Sequence, residues 1–292
     1  MILITGDRGF IGSELKRYFE VNGKKVHGID WADRGKTWTQ DEAIEWIFHM
    51  GAISETNVTD WDALVQQNIE DTQNWIEFAE IQGCGITYAS SASIYGPWVG
   101  SPEWGPVQPQ HYYSVSKLAI DNWVSTRKWE IPVQGVRFFN VYGRNEGHKN
   151  QPSPVRRFIE QAITQKRITV WHNDGKLGSR DFISVDDCID AMMTLKDNKV
   201  SGVFNIGTGK QLTFMDIAKS IQRKMGVENI QVAAVPMPDK MVETYQWESL
   251  AHLDRLHGVI PNWNPLTVDE WLDINFQSLY NQIQEELNNG KT

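Results

Sequence analysis

Cysteine is nearly missing from this 292-residue chain, which carries only Cys84 and Cys188. Two thiols so far apart in sequence make neither a disulfide framework nor a zinc site, and both are expected reduced. Long apolar runs are missing as well. No stretch approaches the roughly 20 residues that span a bilayer. The amino terminus runs directly into Met1-Ile-Leu-Ile-Thr5, without the basic region and cleavage site of a secretory signal. Positive charge is in deficit: 28 Lys and Arg stand against 37 Asp and Glu, for a formal net charge of −9. Proteins that live on phosphate backbones are normally basic, so nucleic acid is not an expected partner, although a local pocket for a small anion is allowed. The seven histidines show no ligand-like spacing, His49 and His148 read as strand and loop residues, and no metal is expected. These absences describe a soluble, cytoplasmic protein without a membrane or nucleic-acid partner.

What remains is globular in composition, with 40% hydrophobic and 22% charged residues. Apolar segments of about five residues alternate with amphipathic stretches of 12 to 20, the pattern of a parallel sheet with crossover helices. Strands are expected at Met1–Thr5, Lys25–Asp30, Trp46–Met50, Ile86–Ser90, Val133–Phe138, Ile168–Trp171 and Val203–Ile206. Helices are expected at Ile11–Val21, Asp60–Ile81 (with Asp60 as N-cap), His111–Trp129, Val155–Gln165, Val185–Lys196, Phe214–Met225 and Thr267–Glu286. The Pro/Gly-rich stretch Gly96–Gln110 reads as an exposed loop. Only 15 residues separate Asp30 from Trp46, which fits one parallel crossover and not the helix–strand–helix of a full doubly wound half. The expected fold is therefore a Rossmann-like doubly wound parallel α/β sheet that lacks its usual third strand, with Lys25–Asp30 at the edge.

The first strand opens into Thr5-Gly6-Asp-Arg-Gly9-Phe10-Ile11-Gly12, glycine-spaced and leading into a helix. Glycines there allow a tight turn and close approach of backbone N–H groups to a pyrophosphate, which the helix N-terminus also attracts. Asp30 ends the second strand, 18 residues past Gly12, where its carboxylate suits an adenosine ribose and favours NAD. Arg34 and Lys36 follow and would suit the 2′-phosphate of NADP, so the choice between the two cofactors stays open. Tyr113 and Lys117 are four apart in Tyr113-Ser-Val-Ser-Lys117, hence on one helix face, where the ammonium is expected to lower the phenol pKa for proton transfer near neutrality. Ser91 follows a strand at the carboxyl edge of the sheet and can hydrogen-bond the same substrate oxygen.

Together with Ile47-Phe-His-Met-Gly-Ala52, Arg137-Phe-Phe-Asn-Val-Tyr-Gly143, Arg180-Asp-Phe-Ile183 and Phe204-Asn-Ile-Gly-Thr-Gly209, these motifs resemble the extended short-chain dehydrogenase/reductases, the nucleotide-sugar epimerase and dehydratase superfamily. The likeness covers nearly the whole chain. Asn140-Val-Tyr-Gly-Arg-Asn-Glu-Gly-His-Lys149, and Pro236-Met-Pro-Asp-Lys240 with Tyr245-Gln246, narrow it to the ADP-glycero-manno-heptose 6-epimerase branch. The resemblance implies a catalytic set of Ser91, Tyr113 and Lys117, with Lys149 as the second acid/base on the opposite side of the sugar. It implies a tightly bound, recycled NAD or NADP held by Gly6, Arg8, Gly9, Phe10, Ile11, Gly12, Asp30, Asn68, Tyr113 and Lys117, with Asn68 orienting the site. A nucleotide sugar would meet Ser91, Asn140, Lys149, Arg180 (on its phosphates) and Tyr245, with Gln246 and Asp239 as further wall residues. It also implies a homo-oligomer. The matching division assigns residues 1–145, rejoined by 180–207, to the dinucleotide and 146–292 to the sugar nucleotide.

Departures from the family pattern are Asp7-Arg8 in the phosphate turn and Arg144 where proline is usual, which is expected to loosen or redirect the Lys149 loop. A UDP-sugar 4-epimerase and a keto-sugar-nucleotide reductase remain open within the superfamily, and a non-catalytic cofactor-binding sensor outside it. A 4,6-dehydratase is disfavoured because Ala92-Ser93 stand where that branch carries an Asp-Glu pair.

Overall fold

The computed structural model describes residues 1–33, 42–242 and 245–290, the side chain of Val227 excepted. Its elements run β1 Ile2–Thr5, α1 Phe10–Val21, β2 Val26–Ile29, β3 Trp46–His49, α2 Trp61–Leu64, a π-helical turn Val65–Glu70, α3 Asp71–Gln82, β4 Gly85–Ser91, α4 Tyr112–Ser125, β5 Val133–Phe138 and β6 Asn140–Tyr142. They continue with α5 Pro154–Gln165, β7 Arg167–Asn173, β8 Lys176–Leu177, β9 Ser179–Ser184, α6 Val185–Asp197, β10 Gly202–Ile206, β11 Gln211–Thr213, α7 Phe214–Met225, β12 Gln231–Pro236, α8 Asp239–Val242, α9 Asp254–His257 and α10 Val268–Asn289.

Six strands pair in the order β2-β1-β3-β4-β5-β10, every pair parallel. Successive side chains point to opposite faces, and the sequence uses that period on both sides. Ile2, Ile4, Trp46, Phe48, Val136 and Phe138 pack into one buried cluster with Leu15 and Phe19 of α1 and Cys188, Ile189 and Met192 of α6. Leu3, Ile47, Ile86, Tyr88 and Val133 face the other way, onto Ile76 and Ala79 of α3 and Ile120 and Val124 of α4. Strands buried on both faces read as continuous apolar runs, which is why they stand out in the sequence. Among the described residues β2 is the outermost strand on its side, as the short interval before Trp46 implies. Arg34 and Lys36 lie outside the described residues.

Asp60 caps α2, its side chain accepting from the Ala63 N–H at 3.0 Å. The helix expected over Asp60–Ile81 is broken by the π-helical turn, which carries Asn68. Two small sheets escape the sequence pattern: β11-β9-β6 and β12-β7-β8. They are built on strands as short as two or three residues, too brief to show a period. The expected strand at Ile168–Trp171 is the centre of β7 and belongs to one of these sheets. A third apolar cluster joins α5, α7 and α10 around Trp271, which is 1% exposed. Trp271 meets Tyr142 edge-to-face with centroids 5.3 Å apart, and its indole N–H donates to Asp186 at 2.8 Å. Trp271→Ala is expected to cost about 3–5 kcal/mol through the cavity it leaves, read as a fall in the denaturant midpoint.

Candidate active site

The strand order reverses beside β1, where β2 lies on one side and β3 on the other, and such switch points open a crevice at the carboxyl ends of the strands. Gly6 takes φ +66°, and a Cβ there would lie 2.5 Å from Gly51 Cα in the loop after β3. A Cβ on Gly12 would overlap the Gly6 carbonyl oxygen, so α1 can start this close to the turn only with glycine. Gly9 is the N-cap of α1 and brings no side chain to cap it, leaving first-turn N–H groups to meet a ligand. A cavity of about 230 Å³ lies here, walled by Thr5, Gly6, Gly9, Asp30, Trp31 and Gly51 among others. This cradle fits the pyrophosphate and adenosine of a dinucleotide. Arg8 pairs with Asp33 at 2.8 Å, and the Asp30 carboxylate accepts from Ala32 N–H at 3.2 Å. Phe10 and Ile11 begin α1, the first buried and the second half-buried.

Ser91 ends β4, and its Oγ donates to Ser93 Oγ at 3.0 Å. His111 caps α4, placing Tyr113 and Lys117 one turn apart on its inner face, where both are buried. The Lys117 ammonium donates to the Ala89 carbonyl at 2.9 Å and lies 5.9 Å from the Tyr113 ring centroid. Burial pushes Lys117 down to about 8, against the opposing pull of Asp121. Asp121 continues the stripe one turn further, at a spacing the sequence also carries. Its carboxylate is already taken by Arg137 at 2.8 Å, Ser90 at 2.9 Å and Tyr88 at 3.0 Å.

The expected lowering of the Tyr113 phenol is not what the structure holds. Burial raises it and the nearby charge of Glu55 adds to the rise, while a hydrogen bond with Ser91 pulls the other way. Lys117 aims its charge at Ala89, and desolvation of the phenolate wins. The balance of these effects holds the phenol above its ordinary range.

Asn68 is fully buried and spends its amide behind the site, accepting from Ile53 N–H at 2.8 Å and donating to Ile53 O and to Ser116 Oγ, each at 3.0 Å. Ser116 in turn donates to the Tyr113 carbonyl at 2.7 Å. Asn68 thus ties the loop after β3 to the helix bearing Tyr113, at a π-turn of the kind frequent at functional sites.

Lys149 is carried over the Phe10 ring, with Nζ 4.9 Å from its centroid. Its loop is not loosened by Arg144. That guanidinium bonds Asp186 and Asn275 (2.9 Å) and stands 3.5 Å from buried Glu14, which pins the root of the loop to α1, α6 and α10. Buried Glu146 closes the loop by accepting from Gly143 N–H, Ser153 N–H and Ser153 Oγ at 3.0, 2.6 and 2.7 Å. Burial raises its carboxyl, while those hydrogen bonds and Lys149 oppose the rise. Asn150 and Gln151 reach across to Glu55 (3.3 Å) and Thr56 (3.3 Å), joining the loop to the one that faces Tyr113.

Arg180 lies over two neighbouring rings, Phe214 and Tyr245, 5.4 and 4.7 Å from their centroids. Its Nε and Nη2 donate to the Gln246 carbonyl, the former at 2.8 Å, and Nη1 meets Asn140 Oδ1 at 3.4 Å. One N–H of each terminal nitrogen lies outside these bonds. Desolvation lowers the guanidinium from its usual range. The Gln246 side chain donates to Gly96 O at 3.2 Å, whereas Asp239 is exposed at the start of α8. Among the described residues, no group of three or more His, Cys, Asp or Glu gathers as metal ligands, and no helix is long and apolar enough to cross a membrane.

Residues 2–207 match the sequence pattern of the NAD-dependent epimerase/dehydratase family. The ADP-L-glycero-D-manno-heptose-6-epimerase of Alkalilimnicola ehrlichii is 30% identical, over 88% of this chain and 91% of its own. The structure of the Helicobacter pylori ADP-L-glycero-D-manno-heptose-6-epimerase aligns at TM-score 0.81 and 24% identity, covering 97% of this chain and 96% of that one. UDP-glucuronic acid 4-epimerase from Bacillus cereus, solved in complex with NAD, aligns at 0.74 and 22% identity, over 97% and 98%. The fold and site are those of a dinucleotide-binding sugar-nucleotide enzyme, and the chain belongs to the NAD-dependent epimerase/dehydratase family. NAD is that family's cofactor, and the glycine cradle fits it.

The folded Lys117 sheds its proton near pH 8, against an ordinary value of 10.5. The fold binds fewer protons than the unfolded chain between those values, so stability rises with pH across that window, and the full cost of the buried charge is present below it. Lys117→Met at pH 7 should melt no lower than wild type, with a gain of up to about 3 kcal/mol, while turnover falls by about 10²-fold or more. Thermal unfolding beside an activity assay checks both.

Proposed function

We propose that this chain is a nucleotide-sugar epimerase acting on an ADP-glycero-manno-heptose at its 6-position. The reading rests on one observation above others. Lys149 lies over Phe10 on a loop hydrogen-bonded to Glu55, whose charge acts on Tyr113, so two proton-handling groups are carried on different elements that these loops join. Inverting a hydroxyl-bearing carbon needs such groups on both sides of the sugar.

When bound, NAD supplies reversible hydride chemistry. In this proposal Ser91 and Tyr113 hold the sugar hydroxyl. Tyr113 in its ionised form takes the hydroxyl proton as the carbon is oxidised, and exchange with water returns it and Lys149 to their starting states after the second transfer. Lys117 anchors Tyr113's helix face to Ala89 and keeps a cation beside the ring. After the intermediate keto-sugar turns over, its oxygen points away from Tyr113, and Lys149 donates on that side. The remaining N–H groups of Arg180 suit a diphosphate, with Tyr245 and Asn140 framing it. Cofactor contacts fall to Gly6, Gly9, Gly12, Arg8, Phe10, Ile11 and Asp30, with Asn68 as a positioning residue. Residues 1–145 with 180–207 would hold the dinucleotide and 146–292 the sugar nucleotide, in the cytoplasm. Exposed Trp61 and Tyr112, edge-to-face at 5.7 Å, give a second copy an apolar surface to meet.

Support for the heptose is the 30% identity to heptose epimerases across about nine-tenths of each chain. The 4-epimerase likenesses fall below 25% identity and speak for the fold alone. Incubation with ADP-D-glycero-D-manno-heptose and NAD should give the 6-epimer by NMR. Tyr113→Phe and Lys149→Met should each slow it by about 10²-fold or more. Recovering only the starting isomer with wild type removes the substrate assignment.

A further inference from the structure

His49, at the end of β3, is 2% exposed and lies behind the wall of the cofactor cavity that Thr5 forms. Its Nδ1 lies 2.7 Å from Thr5 Oγ1 and its Nε2 lies 3.0 Å from Thr72 Oγ1. The surrounding bonds settle which ring nitrogen carries the proton. The Thr72 hydroxyl donates to the Asn68 carbonyl at 2.8 Å, so its oxygen can only accept from His49. The proton is therefore on Nε2, and Nδ1 accepts from the Thr5 hydroxyl. Thr5 Oγ1 in turn accepts from Gly51 N–H at 3.4 Å, at the point where Gly6 and Gly51 are in closest approach.

The bonds form one directed series. It runs from Gly51 through Thr5, His49 and Thr72 to the backbone of Asn68, and the Asn68 side chain continues it through Ser116 to the carbonyl of Tyr113. Thr5 walls the cofactor cavity, whereas Thr72 stands behind it. We infer that His49, as its Nε2–H tautomer, is a positioning residue that couples seating of the dinucleotide at the glycine turn to the placement of Tyr113. This rests on the epimerase reading above and adds a link between its two halves. Coupling of this kind travels through contiguous hydrogen-bonded groups, and polar chains out of water are stiff because breaking any member strands its neighbour. Burial and the facing Lys117 charge both keep the ring uncharged, pushing it down to about 3, so the series keeps its direction at working pH. Trp75, whose ring centroid lies 6.4 Å from that of His49, carries no charge.

The test uses Thr5→Val, Thr72→Val and the double variant, near-isosteric changes that break one end or both. NAD affinity is read by tryptophan quenching, and kcat and KM in the epimerase assay. Thr72→Val should weaken NAD by about fivefold or more and lower kcat with KM for the sugar nucleotide little changed. The double variant should bind NAD no more weakly than the worse single one. Nitrogen-15 NMR of histidine-labelled wild type should show one ring protonated on Nε2 that does not titrate between about pH 5 and 8. NAD affinity untouched by Thr72→Val, strictly additive losses, or an Nδ1–H ring would each overturn the coupling. If wild type shows no epimerisation, the functional reading fails on its own, because affinity and tautomer still decide the His49 proposal.

Discussion

Taking the Lys117 ammonium out of water costs several kcal/mol unless the protein supplies a counter-charge and hydrogen bonds in its place. The supply here is lean: one carbonyl, Ala89 O, and a carboxylate one turn along the helix. That carboxylate, Asp121, is claimed by Arg137, a second buried cation, and by two hydroxyls. Arg137 also donates to Tyr95 and to the Glu103 carbonyl, and Tyr95 donates on to Asn205. A polar network thus runs inside the sheet beneath Lys117, centred on Asp121 and Arg137, each of which is held by several partners. Lys117 stands at its edge with little of Asp121 left to it, and this explains why burial outweighs the ion-pair attraction.

Such a network is rigid by construction. β4 and β5 exchange main-chain bonds along its length, and the Asp121–Arg137 pair bridges α4 to β5. Rigid elements hold reacting groups more closely than loops do, and small displacements at a reacting centre cost large factors in rate. The opposite wall is made otherwise. Lys149, Glu55 and Thr56 lie on loops, yet these loops are tied by Asn68, Glu146 and Arg144, whose side chains are buried or nearly so. Arg144 is the instructive case. A residue that departs from the family pattern suggested slack, and in three dimensions it meets two carboxylates and an amide from three helices. Charge complementarity replaces the stiffness of proline.

Period and spacing made the main sheet legible, because strands buried on both faces leave apolar runs that nothing polar interrupts. The glycine turn and the Tyr113–Lys117 pair were legible for a similar reason: each depends on neighbours within a few residues. The same rule extended by one more turn reaches Asp121. What spacing could not reveal depends on distant partners. His49 bonds residues 44 and 23 positions away, and Glu55 meets a loop 95 positions on. The direction of the Tyr113 shift escapes the sequence because an i, i+4 pair reports only which face two residues share. Burial and the direction of the ammonium are set by tertiary structure.

The two candidate proton carriers also differ in mounting, and the chemistry proposed for them gives that difference a sense. Tyr113 stands on a helix fastened at Ser116 and Lys117, so its hydroxyl keeps a constant relation to Ser91. Lys149 stands on a loop whose ends are fixed while its tip rests on an aromatic face through a non-directional cation–π contact. A sugar that must turn between two proton transfers needs one fixed partner to define the starting pose. It also needs one partner with enough reach to meet the oxygen after it has moved. Two equally rigid groups would favour a single orientation, and two equally mobile ones would define none. The unequal pair is what an inversion through a rotating intermediate requires.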